Sequence, residues 1–427
     1  YSLYSKGNKM ITLSPEQEQA KQEFMSFLSD DACSDFVITG FAGTGKSTLV
    51  SVLLDESPKM LKAIQLITQD HVDWEIICSA TTNKAAEVFQ TMSGKEVKTV
   101  HKTLGLRLQK DYKNNTTKTV EIDKSHRIKN ALLFIDEASY LDVDLIQMIK
   151  KKCALCKVVY IGDPAQLAPV GRSVAPIFSL GFRTAKLTSI MRQEEGNPII
   201  EMSARCRDVV NGHGWFQMQP DGHHLVYLDR HDFQAEILKE FSKPNRQSDS
   251  AKVLAYTNKC VIDYNKAIRS SIHGLGDIQI GDYAIVNKAI SNKHCKLTTD
   301  TEVCITDAID TTSLGVPGRT IVMNGHQQAF LPDSLEDKKV RLREARKAED
   351  WAAVQLIEDG WVDLRSAFAC TINKSQGSTY DRVFIDLDDV AKCRSGNQMG
   401  RLMYVAVSRA RYNVYFTGNL TQVAKAA

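Results

Sequence analysis

The chain has 427 residues, 43% of them hydrophobic and 25% charged, with a formal net charge of +3. That length exceeds a single core and calls for two or more domains. The near-neutral charge excludes a wholly basic nucleic-acid coat, and no apolar run approaches a membrane span, so any polyanion site has to be a local groove. Ten cysteines stand without framework spacing, as buried thiols of a reducing cytoplasm do. The pair Cys153-Ala-Leu-Cys156 has no partner pair at zinc-site distance. The opening stretch ahead of Met10 has no signal-peptide character, and residues 1–12 read as a disordered lead or tag.

Leu13-Ser-Pro-Glu-Gln17 opens a helix that runs to about Leu28. Ser14 is its N-cap, Pro15 its first residue, and Gln17 completes a capping box. Gln17 also has a second reading, because an amide that donates and accepts at once suits an adenine edge. Next comes a strand, Phe36-Val-Ile-Thr39, and then Gly40-Phe-Ala-Gly-Thr-Gly-Lys-Ser47, followed by the helix-like run Thr48–Leu54. Strand, glycine loop and helix in that order make a phosphate loop. The glycines let several backbone N–H groups converge on one phosphate chain at a helix N-terminus. Lys46 can reach the β- and γ-phosphates, and the Ser47 hydroxyl can ligate Mg²⁺. ATP and Mg²⁺ are therefore the expected ligands.

A strand over Trp74–Ser79 puts Thr82, Asn83 and Lys84 at its carboxyl end, where α/β sheets carry ligand contacts. Thr99–Gly105 is a second polar turn, read either as a contact loop bearing His101 or as a plain helix start capped by Thr99. Residues 106–130 break the α/β rhythm. Thr117–Ile122 alternates, Asn114-Asn115 suits a turn, and Lys110, Lys113, Lys118, Lys124, Arg127 and Lys129 make the segment basic. It is either a small inserted β-hairpin or an exposed charged loop.

Ala131–Ile135 is a continuously apolar strand ending in Asp136-Glu137. Asp136 is placed to hold Mg²⁺ through its water shell, and Glu137 to orient and activate the attacking water. Another buried strand, Val158–Ile161, leads to Gly162-Asp-Pro-Ala-Gln166, with Gln166 where a γ-phosphate sensor belongs. Leu187–Arg192 ends in an arginine that either reaches the γ-phosphate or is a surface charge.

The chain then restarts. Lys252–Asn258 is a strand with a polar end, followed by a helix to about Ser271. Leu364–Thr371 and Arg382–Asp386 read as strands, Met403–Arg411 as a helix ending in two arginines, and Asn413–Thr417 as the closing strand. This is a second α/β domain without a phosphate loop. Within it, 281–360 suggests a small β-barrel, and Asp333–Glu358 a single exposed mixed-charge helix forming a projecting arm.

Gly40–Ser47, Asp136-Glu-Ala-Ser139, Gly162–Leu167, Asn373-Lys-Ser-Gln-Gly377 and Tyr404–Arg409, in this order, resemble superfamily 1 helicases. The resemblance is to their Dda and RecD-like group, most of all the phage Dda helicases, and covers Leu13 to Phe416. It implies an α/β fold of two RecA-like P-loop domains in tandem with ATP between them. The first would comprise 13–105 and 131–195, interrupted by a β-hairpin pin at 106–130. The second would comprise 196–280 and 361–427, interrupted at 281–360 by an SH3-like barrel with a helical arm.

The resemblance also implies roles. Gly40, Ala42, Gly43, Thr44, Gly45, Lys46, Ser47, Thr48 and Gly377 would line the nucleotide, and Gln17 would read its adenine. Lys46, Asp136, Glu137 and Gln166 would be catalytic, with Arg192 and Arg409 closing on the γ-phosphate. Thr82, Asn83, Lys84 and His101 would touch single-stranded DNA from the first domain, and Asn258, Thr371 and Asn373 from the second. The group usually carries His at the place of Asn373, and the pin segment has no aromatic wedge besides Tyr112. The implied activity is ATP-dependent unwinding of DNA, with movement 5′ to 3′ on a single strand, in replication, recombination or repair. The alternative is a translocase that strips proteins without parting duplex. The expected partners are single-stranded DNA and its duplex junctions, with a single-strand-binding or replication protein, and the chain is expected to work as a cytoplasmic monomer.

Overall fold

A computed structural model describes residues 12–69, 72–111, 116–169, 174–189, 197–213, 218–243, 247–273, 278–292, 294–299 and 301–420. The chain divides at 195/196 into two units. In the first, α1 (Pro15–Leu28) leads to β1 (Asp35–Gly40), α2 (Lys46–Thr68), β2 (Glu75–Ala80), α3 (Asn83–Ser93), β3 (Val97–Thr99) and α4 (Val100–Thr103). There follow β4 (Leu106–Asp111), β5 (Thr116–Glu121), β6 (Ile128–Lys129) and β7 (Ala131–Asp136). The unit closes with α5 (Val143–Lys152), β8 (Cys153–Ala154), β9 (Lys157–Gly162) and β10 (Arg183–Leu187).

Six of these strands form one sheet in the order β10-β1-β9-β7-β2-β3, every pair parallel. A parallel sheet needs both faces covered, and its strands supply apolar side chains to each face alternately. In β7, Leu132 and Phe134 enter one cluster while Leu133 and Ile135 enter the opposite one. On the first face Phe27 of α1 stacks on Phe36 at a centroid distance of 5.2 Å, and Phe24 packs edge-on or tilted against Phe27, Phe36 and Phe134 at 6.0–6.1 Å.

The α1 capping box forms as its sequence dictates. The backbone N–H of Gln17 donates to Ser14 Oγ at 3.3 Å, and that of Ser14 donates to Gln17 Oε1 at 2.9 Å. At the other end Lys157 Nζ donates to the carbonyls of Phe27, Asp30 and Cys33, at 3.1, 2.6 and 2.8 Å. That ties the start of β9 to the turn after α1.

β4 and β5 pair as an antiparallel hairpin from Leu106↔Glu121 to Asp111↔Thr116. Tyr112, Asn114 and Asn115 lie outside the described residues, as does Arg192. Cys153 and Cys156 are free thiols, and the Cys156 thiol donates to the Ile128 carbonyl at 3.4 Å.

The second unit runs α6 (Pro198–Val210), β11 (Leu225–Tyr227), α7 (Arg230–Phe241), β12 (Ala251–Ala255) and α8 (Asn258–His273). Next come β13 (Tyr283–Val286), β14 (Ile290–Ser291), β15 (Lys296–Leu297), β16 (Glu302–Ser313), β17 (Val316–Met323) and β18 (Gln327–Pro332). Helices α9 (Leu335–Lys347) and α10 (Trp351–Gly360) precede β19 (Leu364–Ser366), β20 (Ala369–Thr371) and β21 (Tyr380–Asp386). The short α11 (Leu387–Val390), α12 (Gly396–Ser408) and β22 (Ala410–Thr417) complete it. A parallel sheet, β11-β22-β21-β12-β20, lies beside an antiparallel one, β18-β17-β16-β13-β19.

Three sequence expectations change here. The run read as one strand, Leu364–Thr371, is shared between two sheets. β19 pairs antiparallel with β13, while β20 pairs parallel with β12. The mixed-charge arm is two helices, because Glu349 takes a left-handed φ of 54° and Asp350 caps a new start by accepting from Ala353 N–H. The helix expected to reach Arg411 stops at Ser408, and Arg411 lies in β22.

Candidate nucleotide and nucleic-acid sites

The phosphate loop is built by steric exclusion. A Cβ on Gly40 would stand 2.5 Å from Thr44 Oγ1 and 3.1 Å from Leu187 Cβ. Gly43 and Gly45 take φ of 84° and 78°, which glycine alone adopts freely. Gly45 caps α2 with no side chain, so the first N–H groups of a 23-residue helix face the loop. The loop closes on itself through Thr44 Oγ1, which donates to the Phe41 carbonyl at 2.9 Å. Lys46 Nζ donates to the carbonyls of Gly40 at 2.5 Å and Phe41 at 2.9 Å. Ser47 and Thr48 are exposed at the start of α2.

Gln17 is 2% exposed and does more than cap: its Nε2 donates to the Gly45 carbonyl at 3.1 Å. The neighbouring Glu16, to which sequence reading gave no role, reaches the carboxyl end of β10. Its Oε2 accepts from the backbone N–H of Thr188 at 2.8 Å and of Ser189 at 2.9 Å, and its Oε1 from the Thr188 hydroxyl at 2.5 Å. The Ser189 backbone bond, then those of Thr188, hold this carboxyl down to about 2.

β1, β9 and β7 are adjacent and parallel. Their carboxyl ends therefore bring Lys46, Gln166 and Asp136 to one edge of the sheet. Burial raises the Asp136 carboxyl, against the Glu137 backbone N–H and the Lys46 charge, which lower it. Glu137 takes a left-handed φ of 52°, a strained choice for a side chain of its size. Thr81 pins this turn: its N–H donates to the Asp136 carbonyl at 3.3 Å and its hydroxyl to the Glu137 carbonyl at 3.0 Å. After β9, Asp163 is fully buried and Gln166 is 6% exposed. Gly162 leaves only 2.8 Å between a built Cβ and the Phe178 ring.

The same edge continues through β2 and β3. Thr82 caps α3, accepting from Ala85 N–H at 3.1 Å, with Asn83 and Lys84 exposed beside it and Lys84 paired to Glu87 at 3.0 Å. Thr99 caps α4, accepting from Lys102 N–H at 3.4 Å, and half-buried His101 follows. Burial pushes His101 down, with Asp142 opposing, which favours a neutral imidazole.

In the second unit Asn258, Thr371 and Asn373 stand at the carboxyl ends of the adjacent parallel strands β12 and β20. Asn265 of α8 ties that helix to the start of β20, accepting from Phe368 and Ala369 N–H at 3.1 and 3.0 Å. The buried Asp389, which sequence reading missed, accepts from the N–H groups of Tyr256 and Thr257 at 2.7 and 2.8 Å and so fixes the turn before Asn258. Gly377 takes a φ of 75°. Arg409 is 7% exposed and held on its own unit. It donates to the carbonyls of Val405 and Ser378 and to Ser408 Oγ, at 3.2, 3.2 and 3.0 Å.

A parallel sheet with a phosphate loop on one strand, a carboxylate pair on the next but one and a glutamine loop between them defines a P-loop nucleotide hydrolase. Residues 12–213 match the family described as AAA domain, and 366–417 the family described as UvrD-like helicase C-terminal domain. The ATP-dependent DNA helicase dda of Enterobacteria phage T4 is 25% identical over 432 residues, covering 89% of this chain and 93% of that protein. The ATP-dependent RecD2 DNA helicase of Deinococcus radiodurans is 30% identical over 168 residues, 39% of this chain and 20% of that protein. Among solved structures, Pif1 helicase from Bacteroides in complex with ADP-AlF3 and ssDNA aligns with a TM-score of 0.54 and 16% identity, covering 97% of this chain and 94% of that one. Pif1 helicase from Candida albicans aligns at 0.51 and 18%, covering 97% and 96%. The mixed α/β fold with parallel sheets is that of these tandem RecA-like helicase structures.

These matches support a superfamily 1 helicase of the Dda and RecD-like group. Its enzyme class is that of an ATP-hydrolysing DNA helicase. Among the described residues no helix is long and apolar enough to cross a membrane.

Proposed function

We propose that the chain converts ATP hydrolysis into 5′ to 3′ movement along single-stranded DNA and parts duplex DNA at the junction it meets. The observation that carries this reading is the shared sheet edge. Strands β1, β9 and β7 bear Lys46, Gln166 and Asp136, and β2 and β3 extend the same edge with Thr82, Asn83 and His101. A phosphate-dependent shift at one part of such an edge is felt at the other, because the strands are hydrogen-bonded neighbours.

In this reading the phosphates of ATP replace the Gly40 and Phe41 carbonyls as partners of Lys46 Nζ. Ser47 and Asp136 would hold Mg²⁺; both offer the oxygen donors that a hard cation takes, and the ion would neutralise phosphate charge. Glu137 orients the attacking water, and Gln166 and Arg192 sense the γ-phosphate. Arg409 leaves its carbonyl partners to add positive charge at the γ-phosphate. Asn258, Thr371 and Asn373 form a second DNA grip. Two grips whose separation follows nucleotide state give inchworm movement. The β4–β5 hairpin serves as the strand-separating pin, and the antiparallel sheet with α9 and α10 as an SH3-like barrel with its arm.

The test is ATP hydrolysis and unwinding on duplexes bearing a 5′ tail, a 3′ tail or no tail, with Lys46→Ala as control. DNA-dependent hydrolysis with unwinding from the 5′ tail alone is the expected result. Unwinding from the 3′ tail reverses the polarity. Hydrolysis without unwinding reassigns the chain as a translocase, and no hydrolysis overturns the catalytic roles.

A further inference from the structure

The root of the β4–β5 hairpin is fastened to α5 by charge. Lys152, the last residue of α5, is 0% exposed. Its Nζ lies 2.9 Å from Glu121 Oε2 and donates to the Asp123 carbonyl at 2.7 Å. Lys151 donates to Glu121 Oε1 at 2.6 Å. Glu121 ends β5 opposite Leu106, the first residue of β4, so its carboxylate sits where the hairpin joins the unit. Lys151 first, then Lys152, hold that carboxyl down to about 2.

The segment just past the root is tied to α4. The Ile122 N–H donates to the Gly105 carbonyl at 2.8 Å, and the His126 ring lies against the Thr103 carbonyl, with Nε2 at 3.1 Å. On one side the hairpin is thus joined to the turn that carries His101. On the other it is joined to a helix that starts six residues after Glu137.

A buried lysine is a poor way to gain stability. An apolar side chain of similar volume does as well or better, so a retained buried pair calls for another account. Here the pair fixes direction: two cations on one carboxylate leave the root of the hairpin little freedom to swing. We propose that Glu121 and Lys152 are positioning residues for strand separation, bracing the hairpin root against α5 so that the load of an opposing duplex does not bend it away. This rests on the hairpin being the strand-separating element.

The experiment compares Lys152→Met and Glu121→Gln with the unaltered chain. A third variant replaces residues 108–119 by a short Gly-Ser link. The readouts are hydrolysis on single-stranded DNA, displacement of streptavidin from a biotinylated single strand, unwinding of tailed duplexes of low and high G·C content, and thermal melting. The Met variant keeps the volume but leaves Glu121 with Lys151 as its one cation, so thermal melting verifies that each point variant is folded at the assay temperature. The expected result for both point variants is unwinding slowed about tenfold or more, the reach of a small misplacement. The loss should be deeper on G·C-rich duplex. Hydrolysis and streptavidin displacement should stay within about twofold of the unaltered chain, so that more ATP is used per base pair parted.

Three results would overturn the inference. If the shortened hairpin unwinds normally, the pin reading itself fails. If shortening abolishes unwinding while both point variants unwind normally, the hairpin is the wedge but the brace is not needed. If the point variants lose hydrolysis, displacement and unwinding in parallel, the pair serves the fold of the unit and not strand separation.

Discussion

The side-chain amide of Gln17 donates to the carbonyl of Gly45 across 3.1 Å while its oxygen accepts from the Ser14 N–H at 2.9 Å. One side chain thereby closes the start of α1 and holds the last glycine of the phosphate loop. Gln17→Ala is expected to raise the KM for ATP with a smaller effect on kcat and to lower stability by about 1 kcal/mol, the usual worth of a cap. Ser14→Ala is expected to show the same stability loss without the KM change. Steady-state hydrolysis and thermal melting of both variants separate the two roles.

Glu16 provides a pH test. Its folded carboxyl lies at about 2, against an ordinary value of 4.5. A depressed carboxylate contributes stability that is fully present above the unfolded value and is lost as pH falls toward the folded one. The stability gap between the unaltered chain and Glu16→Gln is therefore expected to be constant above about pH 5.5 and to shrink steadily toward pH 2. Urea unfolding across that range measures it. A gap that widens on acidification contradicts the hydrogen bonds from Thr188 and Ser189.

Glu137 sets function against stability. Its φ of 52° suits glycine better than glutamate. Glu137→Gly is expected to stabilise the unit by about 1 kcal/mol while reducing hydrolysis by about 10²–10⁴-fold, the range for loss of a general base. Glu137→Gln is expected to lose the same activity without the stability gain. Melting curves alongside single-turnover hydrolysis decide it.

Arg409 spreads its guanidinium over three acceptors of its own unit. Arg409→Lys keeps the charge but cannot donate to Val405, Ser378 and Ser408 together. A kcat loss of about 10³-fold or more is expected, as for other arginines that act on a transferring phosphoryl group. ATP binding, read by a fluorescent analogue, is expected to change little.

Much of the first unit was legible because its signals are local. A strand buried on both faces is a plain apolar run, and the one expected from Ala131 into Asp136-Glu137 runs Ala131–Asp136. The cap of α1 was legible because capping chemistry spans four residues. What could not be read is which distant element a side chain meets. Glu16 drew no reading of its own, yet its hydrogen bonds reach residues 188 and 189. The amide of Gln17 had two readings, and its reach to Gly45 depends on how α1 packs on the sheet. Leu364–Thr371 has one uniform strand character, and only the competing partners β13 and β12 divide it. The break at Glu349 falls among helix formers, where a single left-handed residue overrides propensity.

The position of β1 between β9 and β10 has a consequence for synthesis. The phosphate loop is made before either neighbour of its strand, which gains the two only after residues 162 and 187 have been made. Until then an apolar strand with two open edges waits beside a helix, and every pairing it needs is distant in sequence. Such topologies fold slowly and expose sticky surface meanwhile. A chain cut short before β9 would carry an intact phosphate loop and no place to seat it.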